Sequence, residues 1–283
     1  MTDKARASAT RAARRSGVRM RALDSTERSR ACERLLSEVW QTGPDHPPLA
    51  ADVVKAMADA GSHVMGAFHA TEGGGDLLGA CIGLWGPPGH PAMHSHIAGV
   101  HAAARGRDVG FALKLDQRAH ALEKGVERIT WTFDPLVARN AHFNIRKLGG
   151  TASEYLTDYY GPLSDGLNRA DASDRLMLRW DLTAERVRAA CEENADPGPA
   201  APPAKALLDI DGDRPVARRA GEGRVLVAVP PDIALLRTRK PSLARDWRLA
   251  VRDALGTLLA DGARLVDFDR AACGYVLARG EAR

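Results

Sequence analysis

Ile97-Ala98-Gly99-Val100, followed after a small-residue connector by Arg105-Gly106-Arg107-Asp108-Val109-Gly110-Phe111-Ala112, is the stretch whose reading decides the fold. The run up to Val100 is strand-like. The run after Gly110 places Phe111, Leu115, Ala119 and Leu122 on one helical stripe, with Lys124 in the last turn and Gly125 as the stop. The order is strand, glycine- and arginine-rich turn, helix. A helix that begins on glycines presents free backbone N–H groups and the positive end of its dipole. Glycine lets a bulky anion approach the backbone, and flanking arginines add charge, so the turn predicts a phosphate cradle.

On the N-terminal side, Val18 to Leu23 alternates as a half-wet strand. Asp24-Ser25-Thr26-Glu27 offers a cap for a helix to about Trp40, with Cys32, Leu35, Leu36 and Val39 on its buried face. A second short helix runs through Val53, Val54 and Met57. His63 to Ala70 and Leu77 to Trp85 flank a glycine-rich turn and read as a hairpin, and Met93 to Val100 leads into the cradle. On the C-terminal side, Arg128 to Phe133 is a buried strand, Pro135 to Leu148 a helix, and Tyr155 to Tyr160 and Arg175 to Leu182 two further strands. Thr183 to Glu193 reads as a short helix and Asn194 to Pro203 as a linker. Beyond it come strands at Ala206–Ile210, Arg224–Val229, Leu265–Phe268 and Tyr275–Leu277, and a helix from Ser242 to about Asp261.

The 283 residues suffice for one large or two modest domains, and 45% hydrophobic with 27% charged residues is ordinary for a globular protein. Much of the net charge of +4 sits in the first twenty residues, at Lys4, Arg6, Arg11, Arg14, Arg15 and Arg19. Residues 1–17 are therefore expected to be a solvated, disordered basic tail. No interleaved aromatics accompany the charge, so nucleic acid is not the expected partner. Cys32, Cys81, Cys191 and Cys273 form no C-x-x-C pair, which argues for buried thiols in a reducing compartment. His94, Ser95, His96 and His101 lack a distant partner to complete a metal set, so no metal is expected. No apolar run reaches the ~18 residues of a membrane span, and a cytoplasmic location is expected.

The chain resembles the GNAT superfamily of acyl-CoA-dependent N-acyltransferases, whose signature Q/R-x-x-G-x-G/A lies between a strand and a helix. Two registers fit. Arg105-x-x-Asp108-x-Gly110 keeps the spacing from the strand but carries Asp in place of the first Gly, whereas Arg107-x-x-Gly110-x-Ala112 matches every letter two residues later. A second element agrees: the strand Ile129-Thr130-Trp131-Thr132-Phe133 and the helix ending Lys147-Leu148-Gly149-Gly150 look like the family's fifth strand and the close of its fourth helix. The wording from Trp131 to Ala141 is similar to a little-characterised subgroup of predicted acetyltransferases.

The resemblance implies a mixed α/β (α+β) fold, mostly antiparallel, with splayed central strands and a smaller C-terminal α/β subdomain. Its expected boundaries are residues 18–182 for the acyltransferase domain, 183–204 for helix and linker, and 205–283 for the accessory subdomain. Acetyl-CoA or another acyl-CoA is the implied cosubstrate. Its pyrophosphate would lie on the N–H groups of Gly106, Arg107, Asp108, Val109, Gly110 and Phe111, each such interaction contributing about 0.3–1 kcal/mol. Arg105 and Arg107 would add charge-assisted hydrogen bonds. The pantetheine arm would pair along Ala98 and Val100, where an N–H polarises the thioester carbonyl, with Asn140 near the arm.

The acceptor is expected to be the primary amine of a small molecule such as an amino acid. Such an amine has a pKa near ~10.4, and holding it neutral at pH 7 costs on the order of 4–5 kcal/mol. A general base relieves this. Counting back from the cradle, His94 in one register and His96 in the other fall where family members place a Glu base, and alternation puts both on one face. Asp134 is the third candidate. Where many members use a Tyr as general acid this chain has Ile145, so either solvent protonates the thiolate, or a Tyr from the next strand (Tyr155, Tyr159 or Tyr160) reaches in, or the chemistry is diminished. Arg248 and Arg252, one turn apart, could clamp an acidic acyl group, which keeps N-succinyl transfer as an alternative to acetyl. A non-catalytic CoA-binding module is the other alternative. The reading allows a homodimer.

Overall fold

The computed structural model describes residues 1–43, 45–71, 75–161, 163, 165–169, 171–193, 204–219 and 223–279. In chain order the elements are α1 (Thr2–Arg15), β1 (Val18–Ala22), α2 (Thr26–Trp40), α3 (Ala51–Asp59), β2 (His63–His69), β3 (Leu77–Trp85), β4 (Met93–Val100), α4 (Val109–Glu123), β5 (Arg128–Phe133), α5 (Ala138–His142), β6 (Thr151–Leu156), β7 (Arg175–Asp181), α6 (Glu185–Arg188), β8 (Lys205–Asp211), β9 (Arg214–Ala217), β10 (Arg224–Ala228), α7 (Ile233–Arg239), α8 (Pro241–Ala260), β11 (Arg264–Asp269) and β12 (Gly274–Ala278). They group into two compact units, Met1–Trp131 with Asp181–Glu192, and Thr132–Trp180 with Glu193–Arg283. The division falls inside β5, not at residue 182 or at the proline-rich linker. The linker, Asn194 to Pro203, lies outside the described residues.

In the first unit, β1 to β4 pair in succession as antiparallel strands and β5 joins β4 in parallel. The helix α2 begins where its cap predicts, with the Ser25 hydroxyl accepting from the Arg28 N–H at 3.3 Å. One sheet face buries Leu23, Leu35, Leu36, Val54, Val64 and Ile82, with Trp40 and Ile97 packed against them. Each such aliphatic side chain contributes about 1.5–3 kcal/mol. A Cβ on Gly99 would stand 2.8 Å from the Trp40 ring, so glycine is what lets α2 settle this close to β4.

The segment expected to be a disordered tail is the helix α1, packed on α4. Its Ala5, Ser8, Ala9 and Ala12 are buried. These positions recur every three to four residues, and their small side chains allow close helix approach. Arg6 donates to Asp116 at 2.8 Å and to both oxygens of Glu123 at 2.7 Å. At the other end Arg107 donates to the Ser16 carbonyl at 3.3 Å, so α1 runs antiparallel to α4. The helix α4 is consequently buried almost all round. Arg118, inside it, holds the Leu182 carbonyl at 2.7 Å and Glu192 at 2.9 Å, which ties the Asp181–Glu192 segment to this unit.

In the second unit, β6 pairs antiparallel with β7, and a five-stranded sheet runs in the order β11-β12-β10-β8-β9. Trp247, Val251, Leu255 and Leu258 form the buried stripe of α8. Three expectations change here. The helix expected over Pro135–Leu148 is the short α5 followed by a π turn over Phe143–Lys147. The strand expected over Tyr155–Tyr160 is β6, which ends at Leu156 just before Asp158 takes a φ of 44°. The elements β9 and α7 are additional.

Candidate functional site

The cradle is formed by the turn between β4 and α4. Gly106 has a φ of 80° and Asp108 a φ of 59°, left-handed conformations that glycine adopts freely and that Asp tolerates better than most residues. Among the described residues no protein acceptor takes the N–H groups of Gly106, Val109 or Gly110. They open at the positive end of the fifteen-residue helix α4. The Arg107 N–H is spent on the Ala104 carbonyl at 3.4 Å, and its guanidinium on Ser16. Arg105 is exposed, and among the described residues its guanidinium has no protein partner. Of the two arginines expected to bind phosphate, then, Arg105 is available and Arg107 braces the turn. The left-handed residue is Asp108, the position where the first register expects glycine; Gly110, its counterpart in the second register, is helical.

The strand β4 carries a β-bulge. Ile82 pairs with Ile97 and Gly83 with Ser95, which leaves His96 as the extra residue. The bulge reverses the sides of the strand. Before it, Ser95 faces α4 and accepts from Lys114 at 3.0 Å. After it, Ile97 and Gly99 face α2, and Val100 meets Gly110 of α4. The His101 N–H donates to the Leu78 carbonyl at 2.8 Å. By alternation Gly99 and Ile97 also bond toward β3, so the N–H groups of Ala98 and Val100 point to the other edge. The ladder between β4 and β5 has two rungs, Met93↔Ile129 and His94↔Thr130, although both strands continue. No strand takes the Ala98 and Val100 amides among the described residues.

His94 and His96 lie on this strand with ring centroids 6.5 Å apart. Burial lowers the pKa of both, and for His94 the neighbouring His96 and Lys114 lower it further. Both shifts favour the neutral imidazole, the form a base requires. Among the described residues no three His, Cys, Asp or Glu side chains could together hold a metal ion.

In the second unit Asp134 does not resemble a base. Its Oδ1 accepts from Arg248 at 2.8 Å and from the Leu136 N–H at 2.9 Å, and its Oδ2 from Arg237 at 2.6 Å. Burial alone would raise its pKa, but Arg248 and then Arg237 hold it well below the usual carboxylate range. Arg248 and Arg252 do clamp carboxylates, but these belong to the chain itself: Arg248 also holds Asp171 at 2.9 Å, and Arg252 holds Asp174 at 2.7 and 2.9 Å. Neither guanidinium is offered to an acidic ligand. Tyr155 donates to Asp174 at 2.6 Å, and burial followed by that bond pushes its pKa well up. Tyr159 is exposed, its ring edge-on to Tyr160, while the Tyr160 hydroxyl pairs with Thr132 of β5 at 2.9 Å. The half-buried Asn140 donates its backbone N–H to the Val137 carbonyl at 2.9 Å, and among the described residues its side-chain amide has no protein partner. Ile145 is fully buried.

Two residues of this chemistry escape sequence reading. Arg237, which completes the cover of Asp134, stands 103 positions from it with no local pattern to mark it. Lys114 sits inside α4, where a lone lysine reads as a solvated residue. Its burial beneath Trp131 becomes visible once α4 is seen covered on both sides.

Residues 2–136 match the family model of the GNAT acetyltransferase domain. Among curated proteins none matches the chain. Solved structures similar to it include an N-acetyltransferase from Staphylococcus aureus Mu50 (16% identity, 58% of this chain and 98% of that chain, TM-score 0.47). The ribosomal-protein-S18-alanine N-acetyltransferase from Escherichia coli is similar at 12% identity (59% and 95% of the two chains, TM-score 0.45). So is yncA from Salmonella typhimurium with its cofactor acetyl-CoA, at 16% identity (59% and 95%, TM-score 0.47). No described helix is long and apolar enough to cross a membrane.

Proposed function

We propose, from the match of residues 2–136 to the GNAT acetyltransferase domain model, that this chain moves an acetyl group from acetyl-CoA directly to the primary amine of a small molecule such as an amino acid. The observation that carries the reading is one continuous track on the first unit. It begins at the amides of Gly106, Val109 and Gly110, follows the edge amides of Val100 and Ala98, none of them taken by a protein acceptor among the described residues, and ends at the two imidazoles at the bulge. Pyrophosphate suits the first part, the peptide-like pantetheine arm the second, and an attacking ammonium that must lose a proton the third.

The cradle register is the first one, with Asp108 serving as the left-handed residue and Arg105 as the phosphate arginine. The Val100 or Ala98 amide polarises the thioester carbonyl, the amine attacks to give a tetrahedral intermediate, and His94 or His96 takes the proton. The departing thiolate takes its proton from water. Acetyl is preferred to succinyl because Arg248 and Arg252 already hold internal carboxylates.

Thiol release from acetyl-CoA and succinyl-CoA against a panel of amino acids, polyamines and Ala-terminated peptides tests the reading. Turnover with a free amino acid or polyamine supports it, whereas turnover confined to peptides replaces the acceptor class. The buried Ile145, which has no hydroxyl to offer a leaving thiolate, favours a second reading as a CoA-binding module. Tight acetyl-CoA binding with no turnover on any amine would select it.

A further inference from the structure

The Lys114 ammonium lies at the point where β4 and β5 part. The last rung they share is His94↔Thr130. The next residue on β4 is Ser95, whose hydroxyl accepts from Lys114 Nζ at 3.0 Å. The next residue on β5 is Trp131, whose ring centroid is 3.7 Å from the same nitrogen. A third contact, to Gln117 Oε1 at 2.8 Å, holds the ammonium from its own helix.

One cation thus touches the first residue beyond the fork on each strand. Lys114 is 5% exposed and Ser95 likewise 5%. An aliphatic side chain would fill this volume without the cost of burying a charge. What a cation adds is direction: a charge-assisted hydrogen bond to one strand and a cation–π contact to the other, each strengthened by desolvation. Burial draws the ammonium pKa down to about 8, so the group is still charged at pH 7.

We propose that Lys114 is a positioning residue that fixes the opening of the β4–β5 fork, and with it the seat of the acyl-CoA arm. The inference rests on the acyl-CoA reading of the same strand edge. Lys114 acts through Ser95 and Trp131. It orients the edge of β4 on which the Ala98 and Val100 amides lie, while the cradle, built by the turn after β4, does not depend on it.

The experiment separates arm from cradle. Binding of acetyl-CoA and of 3′-phospho-ADP, the CoA nucleotide without its arm, is measured by calorimetry on the full chain and on Lys114→Met. The variant keeps the stem and loses the charge. Acetyl-CoA is expected to bind roughly tenfold more weakly or worse, with 3′-phospho-ADP unchanged. Removal of the buried charge is offset by the donor that Gln117 Oε1 and the Ser95 hydroxyl lose, so the thermal midpoint is expected to shift by only a few degrees. Ser95→Ala, which deletes one hydroxyl, is expected to show the same selective loss in smaller degree, and it serves if Lys114→Met fails to fold. Equal losses for both ligands, or none for either, overturn the clamp. A wild-type chain that binds 3′-phospho-ADP and acetyl-CoA equally well also overturns it, and one that binds neither overturns the acyl-CoA reading and the clamp together.

Discussion

His94 Nδ1 stands 3.5 Å from the Thr130 hydroxyl across the last rung shared by β4 and β5. This imidazole, one of the two we propose as the base, lies where the two strands begin to separate, with its pKa lowered by burial and then by His96 and Lys114. A base with a lowered pKa stays unprotonated to lower pH. The acidic limb of the kcat profile should then fall below the ordinary histidine value of about 6.5. Replacing both His94 and His96 by Asn should cost roughly 10²–10⁴ in kcat and flatten that limb, with acetyl-CoA affinity retained. A profile identical to wild type removes both histidines from the mechanism.

Asp108 brings a carboxylate to a turn that we assign to an anion. Asp108→Gly keeps the left-handed backbone at no steric cost and deletes the negative charge. A charge at ~4 Å in water is worth about 1 kcal/mol, so acetyl-CoA should bind roughly fivefold more tightly. Titration calorimetry at low salt reads this directly, and weaker binding by the variant would count against phosphate at this turn.

Asp134 is held by two arginines in a buried network, and breaking such a network from one side costs more than the network contributes. Asp134→Asn should lower unfolding stability by about 3–5 kcal/mol near neutral pH. The sign with pH follows from the direction of the shift. A carboxylate held below its unfolded pKa stabilises the fold above the ordinary carboxylate range, and the contribution is lost as pH falls toward the lower folded value. Urea unfolding at pH 7 and pH 3 checks both parts. Equal stability of variant and wild type at pH 7 would show that the network is not cooperative.

The helix α1 can be probed by two substitutions. Ala9 is 3% exposed, and Ala9→Leu should cost about 1–3 kcal/mol by overpacking. Arg14 is exposed, and Arg14→Ala should stay within about 0.5 kcal/mol of wild type. Thermal unfolding measures both. A solvated tail would tolerate either change alike.

The elements from β1 to β5 were legible because each carries a strong local signal: alternation at Val18–Leu23, a cap at Ser25, and the Phe111–Leu115–Ala119 stripe behind a glycine turn. The helix α1 was hidden because its buried face is alanine and serine, too weakly hydrophobic to stand out beside its arginines. The short edge strand β9 contains Pro215, which reads as a turn. Asp108 and Gly110 could be read as two registers because letters do not reveal φ. Arg248 and Arg252 read as a ligand clamp because a sequence does not show which carboxylate, of the chain or of a ligand, meets each of them; the partners stand 114 and 78 positions away.

The extra residue at His96 has a consequence for position counting. A count back from Arg105 that assumes strict alternation passes one residue too many on reaching Ser95, so parity assigned from the cradle holds as far as Ile97 and inverts beyond it. Equivalences drawn between this strand and that of any relative must be made separately on the two sides of the bulge. Deleting His96 would make Ser95 and Ile97 sequence neighbours on opposite faces, as they already are, so the ladder to β3 would close regularly with the Ser95 hydroxyl still toward Lys114, whereas a point substitution at His96 would leave the bulge in place.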